Sequence, residues 1–284
     1  MANTPDWLAE KIRKYYQETE PLYLHWAGDS LGLHFGLADE HTQSRAESLS
    51  NGNAYLAQQL KIEPGTRVLD AGCGVGGSSI WLARERSAEV VGISIVAEQV
   101  ELARRFAAEH GVSDRTSFLC MDFMATDFDE ACFDVVWNLE SLSHVLDVPA
   151  YLDHVGYLLR DGGRFGCLDL FVGAQGEPAH VRGMCEGWVL PNLGTLEELT
   201  ETVRATGFVE VTTRDLTSQV LLSAASMRAL ATSRQFELRA QEVLLGVPQN
   251  PVHQRHLQGG LAAVAGLESG SIAYGFLGAV RPPR

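Results

Sequence analysis

The stretch from Val68 to Ser79 constrains the fold more than any other part of the chain. The apolar Val68 and Leu69 run into the acid Asp70, and four glycines follow within six residues (Gly72, Gly74, Gly76 and Gly77). A helix-forming run, Ser79–Arg86, comes next. The pattern reads as strand, tight turn and helix. Glycine accepts positive φ and lets a ligand touch the backbone, and a helix start behind such a turn presents free N–H groups. A unit of this kind is the nucleotide-binding first turn of an open α/β sheet.

The flanking sequence continues the same rhythm. Strands Arg67–Ala71, Glu89–Ile93, Thr116–Cys120, Phe133–Leu139 and Arg164–Phe171 alternate with helices Ser79–Arg86, Glu98–His110 and Val148–Leu159. Such alternation predicts a doubly wound, mostly parallel sheet with helices on both faces. Helix Thr195–Thr206, strand Phe208–Arg214, helices Ser223–Leu245 and Val252–Val264, and a last strand Ile272–Val280 complete the reading. Two domains are expected. Residues 1–63 form an N-terminal helical cap, begun by Thr4-Pro5-Asp6 and carrying a second helix over about Glu47–Leu60. Residues 64–284 form a Rossmann-like domain with a substrate-pocket insertion at 172–194, which lacks a clear period, and a helical region at 218–265.

Composition narrows the partners. A net charge of −14 argues against nucleic acid. No apolar stretch reaches the length of a membrane span, and the N-terminus lacks the basic start and apolar core of a signal peptide, so a cytoplasmic location is expected. Five cysteines without a CxxC pair signal neither a disulfide framework nor a zinc site; they read as buried small apolar residues. His253 and His256 stand at metal-pair spacing but lack a nearby acid, so they read as a solvated face, and no metal is expected.

Which nucleotide the turn holds depends on its surroundings. Gly72 to Gly77 also fits the dinucleotide fingerprint G-x-G-x-x-G. Three features point away from a nicotinamide cofactor. Asp70, directly before the glycines, repels a pyrophosphate and suits an ammonium group. Ser94 ends the second strand where an acid would serve a ribose diol, and a hydroxyl can still bond a ribose. Asp122 and Phe123 follow the third strand, an acid and an aromatic able to hold an adenine.

With these motifs in order, Val68 to Phe171 resembles a class I S-adenosylmethionine-dependent methyltransferase. Val68–Ser79 is similar to that family's first motif, Val90–Val100 to its second in a variant without the acid, Cys120–Phe123 to its adenine motif, Phe133–Val145 to its fourth strand and the segment after that strand, and Leu158–Phe165 to the turn into the fifth. The resemblance implies seven strands, the last antiparallel, and S-adenosyl-L-methionine as cofactor. It places Asp70, Gly72, Gly74, Gly76, Asp122, Phe123 and Asn138 at the cofactor. The Gly92-Ile93-Ser94 and Gln99 pattern is similar to a subset that comprises cyclopropane synthases, tocopherol methyltransferases, glycine-derivative N-methyltransferases and geranyl diphosphate C-methyltransferases, in which the hydroxyl and the glutamine share the ribose; this points to Ser94 and Gln99, and the chain as a whole resembles the tocopherol and geranyl diphosphate members. Trp137-Asn138 and Glu140-Ser141 also resemble the geranyl diphosphate group, whose glutamate removes a proton after methylation.

Glu140 is thereby implied as the base. His144, four residues on, is placed to assist or orient it, or else packs beneath the cofactor. Aromatic faces stabilise cations, and Tyr16, Tyr23, Trp26, Phe35, Phe171 and Trp188 are the expected substrate pocket. The expected reaction is C-methylation of an isoprenoid double bond in a hydrophobic small molecule, through a carbocation and with deprotonation or cyclisation to follow. The alternatives are O- or N-methylation of a small specialised metabolite and, in another class, an idle nucleotide-binding module or an NAD oxidoreductase. The N-terminal helix could cap its own site or a neighbour's, the route to a homo-oligomer.

Overall fold

The strands are β1 (Arg67–Ala71), β2 (Glu89–Ser94), β3 (Thr116–Cys120), β4 (Phe133–Leu139), β5 (Leu159–Val172), β6 (Val209–Asp215) and β7 (Ile272–Val280). They form one sheet in the order β3-β2-β1-β4-β5-β7-β6. Pairing is parallel from β3 to β5 and antiparallel on both sides of β7. The last strand is thus inserted antiparallel, as expected. The computed structural model describes residues 3–27, 30–175, 178–191 and 193–283; of residues 25–27 it describes the backbone alone.

Helices α1 (Asp6–Ala27), α2 (Arg45–Gln59), α3 (Gly77–Glu85), α4 (Ala97–Glu109), α5 (Val148–Leu158), α6 (Pro178–Trp188), α7 (Leu196–Ala205), α8 (Thr217–Leu245) and α9 (Pro251–Ser269) surround it. Local chemistry fixes several starts. The Ser44 side chain accepts from the Glu47 N–H before α2, Asp147 accepts from Ala150 before α5, and Thr195 with Glu198 forms a capping box before α7.

The central strands are apolar on both faces because helices cover both. Trp137 on β4 is wholly buried, packed with Leu56, Leu168 and Tyr274 on one side of the sheet. Tyr151, Phe165, Val203 and Phe208 fill the other side, under α5 and α7. Cutting a side chain like Trp137 to alanine costs about 3–5 kcal/mol. At the edge, β6 is almost entirely exposed and carries Glu210, Arg214 and Asp215, charges that discourage pairing with another chain. The chain runs outward from β1 to β3 and returns to β4 on the other side of β1. The crevice at that reversal is where open α/β sheets bind ligands.

Five expectations are corrected. The 172–194 insertion, read as irregular, contains α6, which packs on α9 so closely that a Cβ on Gly187 would lie 2.5 Å from the Gly259 Cα. Glycines at this helix contact erase the apolar period that reveals a helix in sequence. α8 begins six residues earlier than read, its Thr217 N–H bonded to the Asp215 carboxylate at 2.8 Å, and α9 runs on to a stop at Gly270 with φ +78°. His256 does not lie on a solvated face: it is 1% exposed, with the Tyr15 hydroxyl 2.6 Å from its Nδ1. Of the cysteines, Cys73 and Cys167 are buried, whereas Cys120 is exposed.

Candidate active site

A cleft opens over the carboxyl ends of β1, β2, β4 and β5. It holds about 1550 Å³ of empty space, open solvent at its mouth included. Asp70, Gly72, Gly74, Ser94, Gln99, Asp122 and Phe123 line one half; Tyr16, Tyr23, Glu140, His144 and Trp188 line the other.

The first half is built from strand ends. β1 delivers the Asp70 carboxylate, which accepts from the Ser79 hydroxyl at 2.6 Å. Burial pushes its pKa up to about 6, with the Ser79 bond opposing. Gly72 follows at φ +96°, and a Cβ there would lie 2.5 Å from the Ser141 Cβ. Only glycine lets the turn pass Ser141, which donates to the Ala71 carbonyl at 2.6 Å. At the end of β2, the Ser94 hydroxyl donates to Gln99 Oε1 at 2.9 Å, so the two side chains expected to share a ribose are already joined. Past β3, the Asp122 carboxylate accepts from the Met124 N–H and from Thr4: the backbone N–H at 2.9 Å and the hydroxyl at 3.0 Å. The phenyl ring of Phe123 meets Tyr151 edge-on at 5.4 Å.

The second half is assembled from distant parts of the chain. Glu140, just past β4, has φ +52°, a strained conformation for a side-chain-bearing residue and one that clusters at functional sites. Its Oε1 accepts from the Phe35 N–H at 2.6 Å and from the Tyr274 hydroxyl at 2.9 Å. Burial pushes Glu140 up to about 8; the Phe35 N–H opposes, the neighbouring Asp169 adds, and Tyr274 and Arg45 oppose. Asp169, on the paired strand β5, accepts from the Ser143 and Leu170 N–H groups and is raised to about 6 by burial, with those bonds opposing. His144 bonds Tyr16 through Nε2 at 2.9 Å, and burial holds it down near 4, neutral at pH 7.

Several expected site residues take other roles. Gly76 is not among the residues lining the cleft; with φ +88° and no room for a Cβ beside Ala103 and Phe118, it packs the turn against α4 and β3. Asn138 is fully buried behind the cleft, where its amide donates to the Ala71 carbonyl and Ser141 hydroxyl and its Oδ1 accepts from Tyr151. It braces the turn. The Phe35 ring packs on Trp188 and Tyr274 in the core, leaving its N–H to serve Glu140. Phe171 turns into the core against Gly275, and Leu170 lines the cleft beside it. The Trp26 side chain lies outside the described residues. Thr4, His34, Arg45, Asp169 and His256 line the cleft as well, and the sequence reading assigned none of them to it. Asp169 alone had a signal, as an acid inside an apolar strand. Among the described residues, no group of three or more His, Cys, Asp or Glu side chains could hold a metal ion, and no helix is long and apolar enough to cross a membrane.

Fold and site together define a doubly wound α/β protein with a cleft over the carboxyl ends of its central strands. Residues 68–163 match the family model described as "Methyltransferase domain". Over those residues the chain carries a methyltransferase domain. It is 34% identical over 158 residues to the sterol 24-C-methyltransferase erg6 of Aspergillus fumigatus, covering 56% of this chain and 41% of that one. The chain spans about 40–60% of the length of the curated relatives it matches first. In fold it is similar to the [4+2]-cyclase SpnF, with a TM-score of 0.79, 23% identity and 97% of each chain covered. It is similar too to geranyl diphosphate C-methyltransferase from Streptomyces coelicolor A3(2), solved with Mg2+, geranyl-S-thiolodiphosphate and S-adenosyl-L-homocysteine. There the TM-score is 0.75 and the identity 21%, over 99% of this chain and 100% of that one.

Proposed function

We propose that the protein methylates a carbon atom of a hydrophobic small molecule, best read as an isoprenoid double bond, with S-adenosylmethionine as methyl donor. The observation that carries this reading is Glu140, a carboxylate buried at the end of β4, raised in pKa and held in the cleft by the Phe35 N–H and the Tyr274 hydroxyl. The relatives that methylate sterol carbon support it.

The strand-end half fits the cofactor. The turn at Gly72 is a cradle that a Cβ would fill. Asp70 would take the ammonium group, Ser94 and Gln99 the ribose diol, and Asp122 with Phe123 the adenine. When bound, the cofactor supplies an electrophilic methyl group on a sulfonium. The remaining tasks fall to the chain. Tyr16, Tyr23 and Trp188 present aromatic faces to the cation left on the acceptor. The described parts of α1, α2, α8 and α9, with α6 as a wall, cap the cleft and exclude water, which would otherwise quench that cation. Glu140 takes the proton lost from the neighbouring carbon, on the carboxylate oxygen facing the acceptor. A raised pKa makes it a stronger base once ionised. His144, neutral and bonded to Tyr16, orients that tyrosine.

Incubation with S-adenosylmethionine and a panel of isoprenoid acceptors, read by product mass and NMR, tests the reading. A new carbon–methyl bond, lost on Glu140→Gln with S-adenosylhomocysteine affinity retained, is expected. Methyl transfer to oxygen or nitrogen, or full turnover by Glu140→Gln, would overturn it.

A further inference from the structure

The cleft's charges are unevenly matched. Asp70, Asp122 and Asp169, with Glu140 held largely protonated at pH 7 by burial, line it against one cation, Arg45, among the described lining residues. Arg45 already answers Glu140 electrostatically. The three lining histidines add no charge: burial holds His34 and His144 near 4 and His256 near 3. A diphosphate head entering here without a metal ion would meet carboxylates rather than the arginine forks or clustered positive charge that hold such a group directly.

What the chamber offers instead is a chain of neutral hydroxyls. His144 Nε2 bonds the Tyr16 hydroxyl at 2.9 Å, and Tyr16 interacts with Tyr23 through its hydroxyl. The Tyr23 and Tyr15 hydroxyls lie 3.1 Å apart, and the Tyr15 hydroxyl lies 2.6 Å from His256 Nδ1. The chain ties α1 to α9 across the chamber, with Tyr16, Tyr23, His144 and His256 on the cleft wall. Each phenol is both donor and acceptor, and each neutral imidazole can be either. The chain can therefore turn to receive a ligand hydroxyl or carbonyl without any net charge. Around it the wall is apolar: Ile12, Trp188, Leu190 and Met227.

We propose that the acceptor is an uncharged apolar molecule bearing a hydroxyl or carbonyl oxygen, and that this oxygen docks on the tyrosine–histidine chain at Tyr23. The inference deepens the methyl-transfer reading and rests on it. It separates this chain from the structural neighbour solved with Mg2+ and a diphosphate analogue.

The test is calorimetry on the full-length protein saturated with S-adenosylhomocysteine. The probes are farnesol, farnesyl diphosphate with and without Mg2+, and the oxygen-free hydrocarbon farnesene. Farnesol is expected to bind roughly tenfold more tightly than either of the others, about the worth of one buried hydrogen bond. Tyr23→Phe should erase most of the advantage over farnesene, and its S-adenosylhomocysteine affinity reports that the variant folds. Tyr15→Phe, one step further along the chain, should reduce the advantage less. The proposal is overturned by farnesyl diphosphate binding as tightly as farnesol in either condition. It is equally overturned by farnesol failing to bind, or by an advantage over farnesene that survives Tyr23→Phe. Failure of S-adenosylhomocysteine itself to bind the unaltered protein would instead remove the methyltransferase reading beneath it.

Discussion

The two halves of the cleft are built in different ways. The strand-end half comes mostly from short local units: Asp70 meets Ser79 nine residues away, and Ser94 meets Gln99 across five, with Thr4 on Asp122, 118 residues apart, the exception. The acceptor half is made of contacts between the chain's extremes. Glu140 bonds Phe35 and Tyr274, 105 and 134 residues away, and Tyr15 bonds His256 across 241. A site written into one turn is fixed as soon as that turn forms. One drawn from α1, α6 and α9 exists only once the helices have docked, and its shape can change with their packing while the cofactor half stays constant.

The sharpest way to break this contrast is Gly72→Ala. The added Cβ collides with Ser141, and φ is +96°, so overpacking and backbone strain together cost about 2–5 kcal/mol. Calorimetry should show S-adenosylhomocysteine affinity falling at least about 100-fold. Retained affinity would mean that the turn does not cradle the cofactor.

Glu140→Gln probes the other half. Turnover should fall about 10²–10⁴-fold with cofactor affinity nearly unchanged, as steady-state kinetics and calorimetry would report. A parallel loss of cofactor affinity would show that the halves are not separable at Glu140.

A pH profile sharpens the same point. Glu140 must be ionised to accept a proton, and burial raises it to about 8. Turnover should therefore rise with pH as the carboxyl ionises and fall as pH drops below its pKa, the bound sulfonium's positive charge drawing the midpoint downward. Glu140→Gln should flatten this limb. If the limb persisted, a different group would be the one titrating.

The smallest effect is expected of Tyr15→Phe, which removes the hydroxyl joining α1 to α9. The loss is about 1 kcal/mol of stability, a fall of a few degrees in thermal midpoint, while S-adenosylhomocysteine binds as before. A large drop in cofactor affinity would couple the helical cap to the strand-end half.

The same contrast decides what could be read from sequence. The sheet was legible because β1, β3, β4 and β7 are apolar runs bounded by turn residues, each ending where the sequence placed it. Asp70, Ser94, Gln99 and Asp122 all reach the cleft; they stood out because they lie at or soon after strand ends, in motifs that resemble those of a known family. Phe35 and Phe171 were misjudged because an aromatic residue carries no sign of which face its strand or loop will bury. Asn138 sits beside a motif residue yet points behind it. His256 looked like surface because its partner, Tyr15, lies at the other end of the chain. α6 was missed because Gly183 and Gly187, which let it approach α9, are the residues that hide a helix.

The most direct measurement is a calorimetric titration of the full-length protein with S-adenosylhomocysteine and, separately, with NAD. Saturable binding of the sulfur nucleoside, lost in Gly72→Ala and kept in Glu140→Gln, with no heat from NAD, is the predicted result. Tight binding of NAD with none of S-adenosylhomocysteine would contradict the assignment of the strand-end half, and with it the chemistry proposed for the chamber beside it.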